Sequence, residues 1–596
     1  MSYMPIKIPP GINTETPSLT SEPSWRSADK IRFKKGQPQK IGGWVIDESS
    51  YFALLGVPRS LHTWRLNSGS VLTAIGTNEK LYLRQTSSLI TDITPLRATG
   101  AALNATPLST TSGLTLVTVT HTAHGSNTGD YVTLIGAVCA TLVDAEVNAN
   151  HKIIVLDDNS YTIEVTTAAT GTNANDGGSS VTGDYEISIG PVSATADTGW
   201  GAGQWGIENY GDGRTLSAIE TELRYWSLDH FGEDLVATHE AGRIYQWTYA
   251  ASFTDRATLI ANSPTYNQLV LVTSPDRHLV AFASENLGFQ DRLLIRWADQ
   301  ETTTDWTPSA ENTAGDQPLS SGSKILAVRK TQNSTLIWTD QGMFGMSFIG
   351  APFTFSVTEI GTSCGAIGAG CVVVKDTVVF WMSRDNFFVY DGTVNVLPCT
   401  LHRDVFSNLN LIQLNKVTGG LNKQFNEIIW FYTVGASTEN NRYVIYNYIE
   451  NIWYNGTINR SCWEDSEQLT YPLAGTAVGS LYLHEYGTDD DISAMTAYIE
   501  SSDFDLDEGD RALLISELVP DMSITTGSVD YTFKTKRYPH STKTTDTTKT
   551  VSATTESINV RVRSKILALR IESDALSDDW RMGTPRIDIR PDGRRP

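Results

Sequence analysis

The sequence predicts an all-β protein: a β-propeller of six or seven blades, an inserted small β-barrel or sandwich, and a C-terminal β-sandwich. Three observations predict it. Charged residues make up only 19% of the 596-residue chain, while Gly, Thr, Ser and aromatics are plentiful and long stretches of helical Ala/Glu/Lys/Leu bias are missing. A unit of apolar strand, polar turn with Gly, Asn or Asp, and aromatic strand recurs seven times. From the second copy to the seventh, the starts lie 44, 56, 42, 50 and 46 residues apart. A period of roughly 40–50 residues built from short antiparallel strands marks a propeller, whose blades must pack on one another because none buries both faces alone. The competing architecture is a two-sheet sandwich with accidental spacing.

Residues 1–110 are expected to hold an N-terminal arm and the first blade or blades, with the first repeat at "VLTAIGTNEKLYL", Val71 to Leu83. Residues 111–190 form an inserted β-domain. From Thr111 to Ile189 the composition shifts to Thr, Val, Ala, Gly and Asn with few aromatics, and alternating segments are joined by Gly/Asn/Asp turns. Residues 191–492 hold the remaining blades. Their hairpins begin at Asp234, His278, Ser334, Asp376, Asn426 and Pro472. Residues 493–596 are expected to form the C-terminal β-sandwich, from the alternation in "ALLISELVPDMSI", "VDYTFKTKRYP" and "INVRVRSKILALRIESDA". The Thr/Lys run "HSTKTTDTTKTVSATTES" reads as a mobile hairpin tip or loop.

Composition also bounds function. The net charge of −22 argues against wrapping nucleic acid, since phosphate binding needs Lys and Arg, but suits a conduit that must not hold a polyanion. The first residues, "MSYMPIKIPPGINTETPS", lack the apolar core of a secretory signal, and no run of 18 apolar residues predicts a membrane span. Five scattered cysteines without a C-x-x-C pair argue against a disulfide framework or zinc knuckle.

Several stretches could carry chemistry. "YWSLDHFGEDLVATHEAGRIYQW" sets His230 and His239 among Asp229, Glu233, Asp234 and Glu240. A catalytic histidine needs an orienting acid and a nucleophile in one cleft. The equivalent turns of other repeats hold no common acid–base pair, so the histidines are read as turn residues. In "SSDFDLDEGD", Asp503, Asp505 and Asp507 alternate before Gly509 and Asp510. An EF-hand counted from Asp503 would want Gly and Glu where Glu508 and Leu514 stand, leaving only some other calcium geometry. His121 and His124 lie three apart among strand formers, the wrong setting for a helical metal pair. "GWGAGQWG", Gly199 to Gly206, lacks the Lys and Ser/Thr of a phosphate loop. Cys364 has no evident histidine partner. Arg581, Arg586, Arg590, Arg594 and Arg595 form a basic C-terminal cluster read as pairing with acids of a neighbouring subunit. No catalytic, cofactor-binding or metal-binding residue is expected, and no cofactor.

"KIRFKKGQPQKIGGW" (Lys30 to Trp44), "GWGAGQWG", "WADQETTTDWTP" (Trp297 to Pro308), "LIWTDQGMFGMSFIGAPFTF" (Leu336 to Phe355) and "DDWRMGTPRIDIRPDGRR" resemble tail proteins of short-tailed bacteriophages. With the Tyr225–Trp247 stretch and "VVFWMSRDNFFVYDG", the chain is similar to the tail nozzle, also called the tail hub or packaged-DNA stabilisation protein. The resemblance covers most of the chain outside Thr111–Ile189, a segment that looks like a small β-domain of phage tail and fibre proteins. It implies a structural virion protein and not an enzyme. Six copies would form a ring below portal and adaptor, contact tail fibre, spike or needle proteins, retain packaged DNA, and pass double-stranded DNA through the lumen at ejection. Such a protein is made in the host bacterial cytoplasm and resides in the tail. The alternatives are a receptor-binding or glycan-degrading tail protein, which would need paired carboxylates at a set separation, and a propeller scaffold of a host cell.

Overall fold

A computed structural model describes residues 3–19, 23–47, 54–85, 89–189, 223, 225–249, 252–332, 334–350, 352–505 and 512–592. Its backbone contacts divide into two units, one of Leu54–Ser320 with Phe348–Ser356, the other of Met1–Ala53, Ser321–Ser347 and Val357–Pro596. The chain is all-β, with many small antiparallel sheets.

In the first unit, three four-stranded sheets are built from successive stretches of chain. Sheet 1 holds Pro58–Arg65, Val71–Thr77, Leu81–Gln85 and Ile90–Asp92. Sheet 2 holds Trp226–Phe231, Asp234–His239, Ile244–Trp247 and Thr258–Leu259. Sheet 3 holds Leu269–Val272, Leu279–Phe282, Leu294–Trp297 and Gly315–Pro318. Neighbours share cores. Trp64, Leu72, Ala74 and Leu83 of sheet 1 pack with Trp226, Leu235, Ala237 and Trp247 of sheet 2. Val236 and Ile244 of sheet 2 pack with Val270, Val272, Leu279 and Ala281 of sheet 3. Apolar residues on both faces of the inner strands are what this stacking requires.

In the chain, a two-sheet sandwich separates the strands of sheet 1 from those of sheet 2. One sheet orders Leu96–Ala102, Thr182–Glu186, Tyr131–Ile135 and Asn150–Lys152. The other orders Ile154–Asp157, Ser160–Glu164, Leu116–Thr120, Leu108–Thr110 and Asn173–Asp176. They enclose a core of their own around Val117, Val119, Val132, Leu134, Tyr161, Ile163 and Tyr185. The sandwich begins at Leu96, not at Thr111, because Leu103 and Leu108 belong to that core and Leu96–Ala102 pairs with its last strand.

The second unit holds four more such sheets. Sheet 4 comprises Ile325–Lys330, Thr335–Thr339, Gly342–Gly350 and Thr354–Thr362, its residues 348–356 being grouped with the first unit. Sheet 5 comprises Val372–Lys375, Val378–Met382, Phe387–Tyr390 and Val394–Leu397. Sheet 6 comprises Thr418–Asn422, Glu427–Tyr432, Arg442–Asn447 and Ile452–Thr457. Sheet 7 takes three strands from Cys462–Glu464, Leu473–Gly475 and Leu481–His484, and its fourth, Trp44–Ile46, from near the N-terminus. Each of the seven hairpins read from the sequence thus falls in a separate four-stranded sheet. The aromatic strands join neighbours as expected. Trp338 meets Trp381 edge-on at 5.5 Å, Phe387 meets Trp430 at 4.8 Å, and the Trp463 indole N–H donates to the Leu421 carbonyl at 3.0 Å. Sheet 6 must begin on "TGGLN" for this. A Cβ on Gly419 would lie 2.6 Å from Val373 of sheet 5, and one on Gly420 would lie 2.1 Å from the Trp463 ring of sheet 7. Only glycine lets both neighbours approach so closely.

The C-terminal strands form three further sheets, and each incorporates N-terminal chain. Tyr3–Pro5 pairs with Arg586–Pro591, Trp25–Asp29 with Ala497–Ser501, and Gln37–Lys40 with Asp579–Met582. The N-terminal arm therefore pairs with the C-terminal strands, where the sequence grouped it with the first repeat. The Thr/Lys run differs from expectation as well. Thr544–Ser552 is a nine-residue strand on Ser528–Lys536, with Thr532–Thr548 and Thr535–Thr544 hydroxyl pairs at 2.9 and 3.2 Å. β-Branched threonines facing each other across a ladder stabilise it, which a polar composition conceals.

Candidate functional site

The first strands of sheets 1 and 2 run side by side, and they bring His62, Asp229 and His230 together. In sheet 1 His62 lies opposite Ala74, and in sheet 2 Asp229 and His230 lie opposite Val236 and Leu235. The His62 Nε2 and His230 Nδ1 atoms are 2.9 Å apart. The Asp229 Oδ1 lies 3.7 Å from the first and 3.5 Å from the second. Among the described residues, this is the group of three ligating side chains whose donor atoms all fall within 4.8 Å of one another.

Asp229 is held by backbone donors: the His230 N–H reaches its Oδ1 at 2.9 Å and the Val272 N–H its Oδ2 at 2.8 Å. Val272 belongs to sheet 3, so the carboxylate is fixed by the strand beyond while its other oxygen faces the imidazoles. The rings are oriented by stacking. His62 and His230 lie 5.1 Å apart at 28°, and the Trp64 ring is 6.4 Å from His230 at 8°. The Trp64 N–H donates to the Glu233 carbonyl at 3.1 Å, which locks the indole. Asp229 is buried, whereas the side chains of His62 and His230 keep 20% and 36% of their exposure, so solutes reach the imidazoles. An aromatic wall, two imidazoles and one anchored carboxylate can share a proton or hold a cation.

The other residues of the Tyr225–Trp247 stretch make local contacts. Both histidines lie in strands, not in turns. The ladder pairs Trp226 with His239 and His230 with Leu235, so the two histidines stand at opposite ends of the hairpin. His239 packs edge-on against Trp226 at 5.5 Å. The Glu233 carboxylate accepts the Asn67 N–H at 2.7 Å, and Asp234 accepts Gln246 and the Tyr249 N–H. Glu240 is in the turn after the strand.

Elsewhere the sequence-selected residues are engaged in packing. His124 accepts the Ser126 N–H on Nδ1 and donates from Nε2 to the Asp157 carbonyl, while His121 bonds the Tyr185 hydroxyl. Neither shares a ligand position with the other. The Cys364 thiol is pushed up to about 11 by burial and by Glu359, so it is protonated at neutral pH. Arg581 donates to the Lys34 carbonyl and Arg590 to Asp588, both within the chain, and Arg586 is paired in the strand Arg586–Pro591. Gly199–Gly206, Asp507, Glu508, Gly509, Asp510, Arg594 and Arg595 lie outside the described residues.

Asp503 is clasped by lysines, Lys536 at 2.6 Å and Lys543 at 3.0 Å, and Glu500 by Lys534 at 2.5 Å and Lys543 at 2.9 Å. Burial would raise both carboxyls, but these ammonium hydrogen bonds outweigh it and hold both below the usual range. A depressed carboxyl contributes stability that is complete above its unfolded pKa and is lost as pH falls through the folded one. The thermal midpoint of the C-terminal sheets should therefore fall on acidification below about pH 4. Glu500→Gln should flatten that dependence, as followed by circular dichroism across a pH series. An unchanged slope would mean that the lysine clasp does not set it.

No protein-family model matches the chain, and no curated protein matches it. Among solved structures, it is similar to a dihydro-heme d1 dehydrogenase, NirN, in complex with DHE, at 8% identity and a TM-score of 0.28, over 46% of this chain and 61% of that one. It is also similar to the N-terminal domain of Nup159, at 7% identity and a TM-score of 0.26, over 43% of this chain and 75% of that one. Likeness this low says nothing of how the present chain works.

The sequence pointed to Asp229 and His230 but missed His62, which is 168 residues from His230. One signal was available. Setting the first strands of the two repeats in register aligns Ser60-Leu61-His62 with Ser227-Leu228-Asp229, which puts His62 at the position equivalent to Asp229.

Proposed function

We propose that the chain is a structural component of a bacteriophage short tail, one copy of a hexameric nozzle below portal and adaptor that retains packaged DNA and conducts it at ejection. In this reading the seven four-stranded sheets are blades of a β-propeller, and Trp44–Ile46 is the strand that closes the ring by completing the last blade. The observation that carries the reading is that closing strand. A chain whose early strand finishes the sheet of its final repeat can link the two ends of a ring.

The phage-tail resemblance of the repeat motifs supports the assignment, and so does charge. Six copies at −22 carry −132 (6 × −22), and a strongly acidic ring repels a polyanion and so lets it slide. No helix of the described residues is long and apolar enough to cross a membrane. The inserted sandwich, with a core of its own, is a lateral module that fibre or spike proteins can use.

Antibody-gold labelling of phage particles carrying this chain, viewed by negative-stain microscopy, tests the reading. Label on the tail axis below the vertex is expected. Label on lateral appendages would move the assignment to a receptor-binding protein, and absence of label from particles would overturn it.

A further inference from the structure

We propose that His62, Asp229 and His230 bind one divalent transition-metal ion of borderline softness, zinc being the best fit, and that the ion clips the first strands of sheets 1 and 2 together. This does not rest on the nozzle reading.

The geometry supports it in three ways. Bonds of 2.0–2.1 Å to zinc in a tetrahedron put neighbouring donor atoms about 3.3 Å apart, and the three donor separations here are 2.9, 3.5 and 3.7 Å. Small rotations of two imidazoles would equalise them. The donor set is also discriminating. Two imidazoles and one carboxylate suit zinc, cobalt or nickel, whereas calcium and magnesium take oxygen ligands. Finally, the outer partners exist already. The Val272 and His230 N–H groups hold the carboxylate in place, the kind of support that ligating side chains need.

The clip would join residues 168 positions apart, bracketing the whole inserted sandwich. Binding to the folded state alone raises the apparent stability of that junction by mass action.

The test uses the full chain, stripped with chelator and titrated with zinc, cobalt, calcium or magnesium chloride. Calorimetry should show one zinc bound per chain, cobalt should give the visible absorption of a low-symmetry nitrogen/oxygen site, and calcium and magnesium should give neither. His62→Ala and His230→Ala, both at half-exposed positions, should each weaken zinc by more than the 10–100-fold typical of losing an outer partner. His540→Ala, in an exposed loop, should leave it unchanged. Asp229 is left intact because it also holds Val272. Failure of the unaltered chain to bind zinc would overturn the proposal, as would zinc binding that survives both substitutions. Should either variant misfold, the cobalt spectrum of the unaltered chain still decides: a spectrum without imidazole coordination sinks the site.

Discussion

Replacing Arg32 with methionine is expected to destabilise the second unit by about 3–5 kcal/mol, the usual cost of stranding one partner of a buried ion pair. Arg32 lies on the strand Ile31–Lys34 with its side chain only 3% exposed. It forks onto Glu427, Nε to Oε1 at 2.8 Å and Nη2 to Oε2 at 2.9 Å, and also donates to Glu485 at 2.8 and 2.5 Å. Its guanidinium lies 3.5 Å over the Phe425 ring. Glu427 is fully buried and accepts further hydrogen bonds from Tyr454 and Asn422. Arg32→Met would leave two carboxylates facing each other without a cation.

The pH dependence of that variant has a defined sign. Burial raises the Glu427 carboxyl, and Arg32 is the main influence opposing it. With Arg32 gone the carboxyl rises further. A group raised in the folded state contributes stability that is present at low pH and lost as pH rises through its folded value. Arg32→Met should therefore be more stable at pH 5 than at pH 8, measured by urea denaturation, and adding Glu427→Gln should recover part of the loss. A single substitution that costs under about 1 kcal/mol, the range of exposed pairs, would show that water reaches the network.

How far the sequence anticipates these features depends on whether each is local. A hairpin is a local event, so its apolar strand and Gly/Asn turn can be read in one stretch, and all seven fall in separate sheets. The fourth strand of sheet 7 cannot be read that way, because Leu483 pairs with Val45 from the other end of the chain. The same holds for Tyr3 opposite Asp588. Thr544–Ser552 hides for another reason: apart from Val551 both its faces are polar, so it lacks the alternation that marks a half-buried strand. At the candidate site, Asp229 and His230 stand out as neighbours in sequence, while His62 is a lone histidine in "PRSLHTWR", marked only by the match of its Ser-Leu to Ser227-Leu228.

Trp430→Ala is expected to cost a further independent 3–5 kcal/mol or so, as removal of a fully buried indole generally does. Trp430 is in the middle of Glu427–Tyr432 with no exposed surface. Its ring lies 4.8 Å from Phe387 of sheet 5 and stacks at 6.1 Å on Trp453 within sheet 6. Its N–H donates to the Cys371 carbonyl at 2.9 Å, at the entry to sheet 5. The residue therefore fills space between two sheets and also fixes where one of them starts. Gly419, beside the Trp430 ring edge, has no side chain that could fill the space it leaves. Trp430→Phe separates the two roles. It keeps most of the ring contact but leaves the buried carbonyl unpaired, at about 1–3 kcal/mol. Tyr538→Ala, on a side chain 59% exposed, should stay within about 0.5 kcal/mol of the parent in the same urea titration. If Trp430→Ala cost no more than Tyr538→Ala, the aromatic contacts would not hold sheets 5 and 6 together. The stacking of repeats would then have to come from the aliphatic strands alone.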